Sequence, residues 1–286
     1  MKRFGASIYT KLAIVFVFFL ALAIFIKGDR NSEFIRVVMG AASFVFGIIL
    51  AFSTANRHSR LSQIRESLRE GDAVMLNIYE LSKVFSKDVT DETRRLIDEL
   101  LIIQCDYFLR DFDNCVGNID KLYVFIEKIK ATNKVQEDAR SKMLSEIEEM
   151  VKVEKKVIYH VNDEMLMYEW ISLIALEGVI LFCLYYLKST DIISVVLTAT
   201  LSALLVMLLL ILRDLDLLVW QESNWIWEPL SKLFVELGLD PYFPGELFKK
   251  RIKLDSFKKF KRIRIASYPK PYPDLSGKKI KLMELK

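Results

Sequence analysis

The chain has 286 residues, 52% of them hydrophobic and 27% charged, with a formal net charge of +4. It is too oily for an average soluble domain and too charged for a bundle wholly inside a membrane, so two kinds of segment must alternate along it. The length allows one or two domains, and Cys105, Cys115 and Cys183 form no CxxC pair or even framework, so reduced thiols are expected.

A spanning helix needs about 20 mainly apolar residues. The first candidate covers residues 8–26, around KLAIVFVFFLALAIFI. A short basic tail precedes it, as in a signal peptide, but no small-x-small cleavage site follows, so a retained helix is expected. The second covers residues 34–55 and contains FIRVVMGAASFVFGIILAF. Gly40, Ser43 and Gly47 fall on one face of it at spacings of three and four, and Ala51 and Thr54 extend that face. Such a small-residue stripe either packs closely against another helix or lines a narrow aqueous path.

Residues 56–164 are rich in charged side chains and contain no Pro. Leu61, Ile64, Leu68, Met75, Ile78, Leu81 and Phe85 recur at helical spacing, so the second span is expected to run on as one long helix. A turn at residues 86–90 and a helix from Asp91 to about Lys130 follow, with a break near Gly117. Asn133 with Gln136 three residues on is a capping-box start for a third helix, which leads back to the membrane. His58 and His160 flank this region beside the spans and are candidate pH sensors.

The third and fourth spans cover residues 165–187 and 192–212. Glu177 sits near the middle of the third, where a charge is costly. It is either a protonated link to Ser or Thr of the fourth span or part of an ion pathway. Ser194, Thr198 and Ser202 form a polar stripe on the fourth span, and Arg213 and Asp216 at its end can pair across one turn.

In residues 217–286, Trp220, Trp225 and Trp227 suit an aromatic belt. Pro229 with Leu230, Leu233, Phe234 and Leu237, ended by Gly238, reads as a short interfacial helix. Lys249, Lys250, Arg251, Lys258 and Lys259 belong to a basic stretch with interleaved Phe and Ile, for which anionic lipid headgroups are the expected partner rather than nucleic acid. The final PKPYPDLSGKK is expected to be extended and mobile.

The architecture expected is all-α: four transmembrane helices in two hairpins, 1–55 and 165–216, with a helical cytoplasmic stalk at 56–164. Lys and Arg near the span ends put both termini and the stalk in the cytoplasm. No nucleotide, zinc-protease or hydrolase motif occurs, so no enzyme, cofactor or metal site is expected.

The run Ser43-Phe44-Val45-Phe46-Gly47, in a second span that continues into a helix, resembles the pore helix of bestrophins, pentameric chloride channels with this layout. The segments NRHSRLSQIRESLREGDAVMLNIYELSKVF and LLLILRDLDLLVW resemble the bacterial family called bestrophin-like more closely. The resemblance implies a homo-oligomeric channel for chloride or another small ion in a bacterial inner membrane. Gly40, Ser43, Phe44, Gly47 and Ile48 become pore-lining candidates. Phe44 and Ile48 take two positions of the bestrophin hydrophobic neck, and the third falls on Gly40, which is no barrier. The acidic calcium clasp of animal bestrophins has no counterpart after Asp216. The alternative is a non-conducting membrane scaffold or sensor whose cytoplasmic helices bind a protein partner.

Overall fold

The computed structural model describes residues 8–28, 32–115, 119–218, 228–245 and 260–284. Eight α-helices occur among them: α1 Ile8–Phe25, α2 Glu33–Ser82, α3 Lys87–Asp106, α4 Ile119–Glu127, α5 Lys134–Asn162, α6 Met167–Leu187, α7 Ile192–Asp216 and α8 Glu228–Glu236. A 3-10 segment, Leu109–Cys115, precedes α4. Three strands, β1 Tyr242–Pro244, β2 Arg262–Ser267 and β3 Lys279–Glu284, form one sheet in the order β1-β2-β3. The protein is therefore mostly helical, as expected, with one small sheet.

The helices α2 and α7, and the stretch 134–187 that ends in α6, are long and apolar enough to cross a membrane. The apolar part of α1, Thr10–Phe25, is shorter. The apolar part of α2 precedes Asn56, and that of the 134–187 stretch is α6, because the charged residues elsewhere in both could not sit in hydrocarbon.

The chain divides into two units. Unit one holds residues 1–59 and 164–217. Two apolar clusters organise it. In the first, Ala42 and Phe46 of α2 pack with Leu173 and Ile180 of α6 and Leu209 and Leu212 of α7. In the second, Phe19 and Ala23 of α1 pack with Tyr185 of α6 and Ala199 and Ala203 of α7. The small Ala side chains let the helix backbones approach closely, which is how apolar helices associate where no water drives them together. Lys188, buried beyond α6, donates to the carbonyls of Ala23 and Ile26 and so satisfies the open end of α1. A Cβ on Gly28 would lie 2.1 Å from the Lys188 carbonyl oxygen, so the α1 exit is built for glycine there.

Unit two holds residues 60–163 and 218–286. Its buried side chains include Ile64, Met75 and Ile78 of α2, Ile97 and Leu101 of α3, Leu122 and Ile126 of α4, and Met143 of α5. The long apolar stripe of α2 behaves as its spacing requires. The second helix of this unit starts at Lys87, four residues earlier than its acids suggest, and ends at Asp106 rather than reaching Lys130. Asn133 caps α5, accepting from Gln136 N at 2.9 Å, while Gln136 Oε1 accepts from Thr132 N at 3.0 Å.

The segment after α8 overturns two expectations. Arg262–Ser267 is a strand, parallel to β1 and antiparallel to β3, and not a basic surface tail. The stretch around PKPYPDLSGKK is held in place: Tyr272 donates to Asp111 at 2.5 Å and stacks edge-on against Phe108. Leu230, Leu233, Phe234 and Leu237 of the expected interfacial helix are buried within unit two. An amphipathic face reads the same in sequence whether protein or lipid covers it.

Buried acids also mark unit two. Burial pushes Glu154 of α5 up to about 7, and its Oε2 has no hydrogen-bond partner. Burial, then the charge of Glu236 on α8, pushes Asp72 of α2 up to about 7, against the opposing pull of Arg69. An acid whose folded pKa is raised stabilises the fold fully below its unfolded value and loses that contribution as pH rises to the folded value. Glu154 should therefore cost up to about 3 kcal/mol of stability between pH 4.5 and 7, and Asp72 up to about 4 kcal/mol between pH 3.8 and 7, with no further loss above. Glu154→Gln is expected to raise the melting temperature of the full chain at pH 8 and to flatten its decline from pH 5 to 7. A variant with the wild-type pH slope would remove Glu154 as the cause.

Candidate functional site

The candidate site lies on α2 within unit one. At roughly 100° per residue, Ala42, Phe46, Ser53 and Arg57 share one face and Gly40, Phe44, Gly47, Ile48 and Ala51 share the other. The first face is buried and meets α6 and α7. The second is exposed, Ser43 included. A Cβ placed on Gly40 or Gly47 would meet nothing within 4 Å, so these glycines serve no packing among the described residues. Only 6% of the apolar window of α2 is buried, against 39% for α7.

The buried face ends in a polar clamp. Asp216, the last residue of α7, accepts from Arg57 of α2 at 3.3 Å and from the backbone N of Met165, just before α6, at 2.9 Å. Asp214 accepts from Lys11 of α1 at 2.8 Å. The two acids of Arg213-Asp214-Leu215-Asp216 thus tie α7 to α1, α2 and the entry of α6. The short-range pairing of Arg213 with Asp216 suggested by their spacing gives way to these longer-range bonds. Nothing in the sequence assigns each acid its partner.

Glu177 is 7% exposed and lies on α6 between Leu173 and Ile180, whose cluster includes Ala42 and Phe46 of α2. Ala42 and Phe46 lie on the face of α2 opposite Gly40 and Gly47. Its Oε1 has no hydrogen-bond partner. The hydroxyls of α7 turn back on their own helix: Ser202 donates to the Thr198 carbonyl at 2.7 Å and Thr200 to that of Val196 at 2.8 Å. The expected link from Glu177 to α7 is not made through Oε1.

His58 is exposed on α2. His160, in the last turn of α5, is held below its usual pKa, chiefly by burial; Asp163 pulls upward, and Lys156 and Arg60 push further down. Arg60 donates to the carbonyls of His160 and Val161 at 2.6 and 2.5 Å, capping α5 with a guanidinium. Trp220, Trp225, Trp227, Lys249, Lys250, Arg251, Lys258 and Lys259 lie outside the described residues. Among the described residues no group of three or more His, Cys, Asp or Glu could hold a metal. The three cysteines are free and buried, and burial first raises Cys105 well above and Cys115 up to about 12, so neither is a reactive thiolate.

A family model described as a Bestrophin-like domain matches residues 8–217, well over half of the chain. The chain belongs to the Bestrophin-like family. With its long apolar helices, this makes it a membrane protein. No curated protein and no solved structure matches it. The Bestrophin-like match runs from α1 to just past Asp216, so it contains the open face of α2, Glu177 and both acids of the clamp. The helix α8 and the sheet of unit two lie beyond it.

Proposed function

We propose that this Bestrophin-like chain is one subunit of a homo-oligomeric ion channel, with the open face of α2 lining the pore. The observation that carries the reading is that face: an apolar helix with a stripe of small residues, turned away from the helices of its own chain. In a membrane, such a stripe gains contacts from other copies or borders water. Phe44 and Ile48, four apart on it, are suited to a hydrophobic constriction that gates by dewetting. The family resemblance supports chloride or another small anion as the permeant ion, four spans in two hairpins, and a bacterial inner membrane. The Lys and Arg beside the span ends support cytoplasmic termini. Glu177 fits this reading because it is buried on α6 between Leu173 and Ile180, whose cluster takes in the buried face of α2 and not the open one.

Ion flux from the full chain in liposomes, with mass photometry on the same sample, tests it. A ring-sized oligomer that conducts is expected. Phe44→Ala or Ile48→Ala should change flux severalfold, whereas Glu177→Gln should leave it unchanged. A monomer or dimer without flux under varied pH, voltage and calcium would sink the pore assignment. The second reading, a non-conducting scaffold whose helical unit binds a protein partner, is favoured by the apolar groove of unit two.

A further inference from the structure

Unit two carries a groove of about 440 Å³ that the channel reading does not use. Its floor is apolar: Phe85 beyond α2, Val89 in the first turn of α3, Phe125 in α4 and Ile129 just after α4. Lys128 and Lys130 line it as well, and no Asp or Glu does. Both lysines are exposed, and neither is ion-paired among the described residues. Val84, Val124 and Val135 add exposed apolar surface adjacent in sequence to the lining.

The rim is held by hydrogen bonds and not left to the ligand to order. Gln136 Nε2 donates to the Val84 carbonyl at 3.3 Å and its Oε1 accepts from Thr132 N at 3.0 Å. Arg140 donates to the Ile129 carbonyl at 3.1 Å. A groove set in place before binding spares its partner much of the ordering cost.

Its chemistry selects the occupant. An apolar floor of this kind gains from covering by apolar side chains. Two ammonium groups in a lining that holds no carboxylate attract an acidic partner and repel a basic one. Recognition by a helix in a groove uses anchors three or four residues apart. We propose that this groove docks an acidic amphipathic segment of a partner protein. Its apolar side chains rest on Phe85, Val89, Phe125 and Ile129, and its carboxylates face Lys128 and Lys130. This holds whether or not the spans conduct.

The test is selection of a phage-displayed library of random short peptides on the full chain in nanodiscs. Counter-selection uses Lys128→Glu/Lys130→Glu, with Lys128→Ala/Lys130→Ala as a milder pair should charge reversal disturb the fold. Enriched peptides are expected to be acidic, with bulky apolar residues three or four apart. They should bind about tenfold more weakly to the charge-reversed chain and weaken with salt. Enrichment of neutral or basic peptides, or none beyond that on the lysine variants, overturns the proposal. So does a change of oligomeric state in those variants, which would make the groove an interface between copies. Loss of binding to phosphatidylserine vesicles in those variants, without loss of peptide binding, would assign the lysines to a membrane surface and overturn it too.

Discussion

Asp216→Ala is expected to lower the stability of the spanning unit by about 3–5 kcal/mol, read as a fall in melting temperature of the detergent-solubilised chain. The side chains of Arg57 and Asp216 are 11% and 6% exposed, so removing the carboxylate takes a buried counter-charge away from the guanidinium. The Met165 backbone N–H, which Asp216 accepts at 2.9 Å, loses its partner at the same time. Asp216→Asn keeps an acceptor for that N–H but not the charge, and should fall between wild type and Ala. Asp214 provides the contrast. Its pair with Lys11 is more exposed, at 16% and 26%, so Asp214→Ala should cost only about 0–1 kcal/mol. Equal losses for the two alanine variants would show that burial of the Arg57 pair is not what matters.

The clamp also shows where sequence reasoning reaches its limit. Unbroken apolar runs located the apolar parts of α1, α2, α6 and α7, of which the last three belong to stretches long and apolar enough to cross a membrane. Periodicity gave the continuity of α2 through Arg57 to Ser82, since the stripe from Leu61 to Ile78 keeps its phase. The face of α2 carrying Gly40 and Gly47 was legible as a stripe of small residues. That this stripe is open within the chain was not, because close packing and exposure use the same residues. The partners of Asp214 and Asp216 were hidden for a related reason: a carboxylate's choice among cations distant in sequence depends on how the helices meet. The C-terminal sheet was hidden by composition. KRIRIAS and KKIKLME alternate with period two, but their basic side chains read more readily as a surface patch. Arg264 of β2 and Lys278 before β3 pair with Asp98 and Asp106 of α3, more than a hundred residues earlier in the chain, and no local pattern announces those partners.

Those acids support the second large effect: Asp106→Ala is expected to destabilise unit two by about 3–5 kcal/mol and to loosen the sheet. The Asp106 side chain, 1% exposed, is ion-paired with Lys278 before β3. It also accepts from Tyr242 of β1 and from Tyr268, just after β2, each at 2.5 Å. Burial first, and then the bond to and charge of Asp106, push both phenols well above their usual pKa, so they remain donors throughout the working pH range. One carboxylate on α3 thus joins the neighbourhoods of all three strands, and its loss leaves a buried and a half-buried hydroxyl and an ammonium to find other partners. A second anchor survives: Arg264 of β2 grips Asp98 with two bonds of 2.6 Å. The sheet should therefore loosen rather than detach. Hydrogen exchange of the full chain is expected to quicken in residues 262–267 and 279–284 of Asp106→Ala while α1 and α7 keep their protection. Adding Arg264→Ala should then release the sheet, with exchange there approaching that of an unstructured segment. If Asp106→Ala left exchange in β2 and β3 unchanged, the sheet would be held by its apolar contacts, Ile263 and Ala266 among them, and the acids of α3 would only set its register.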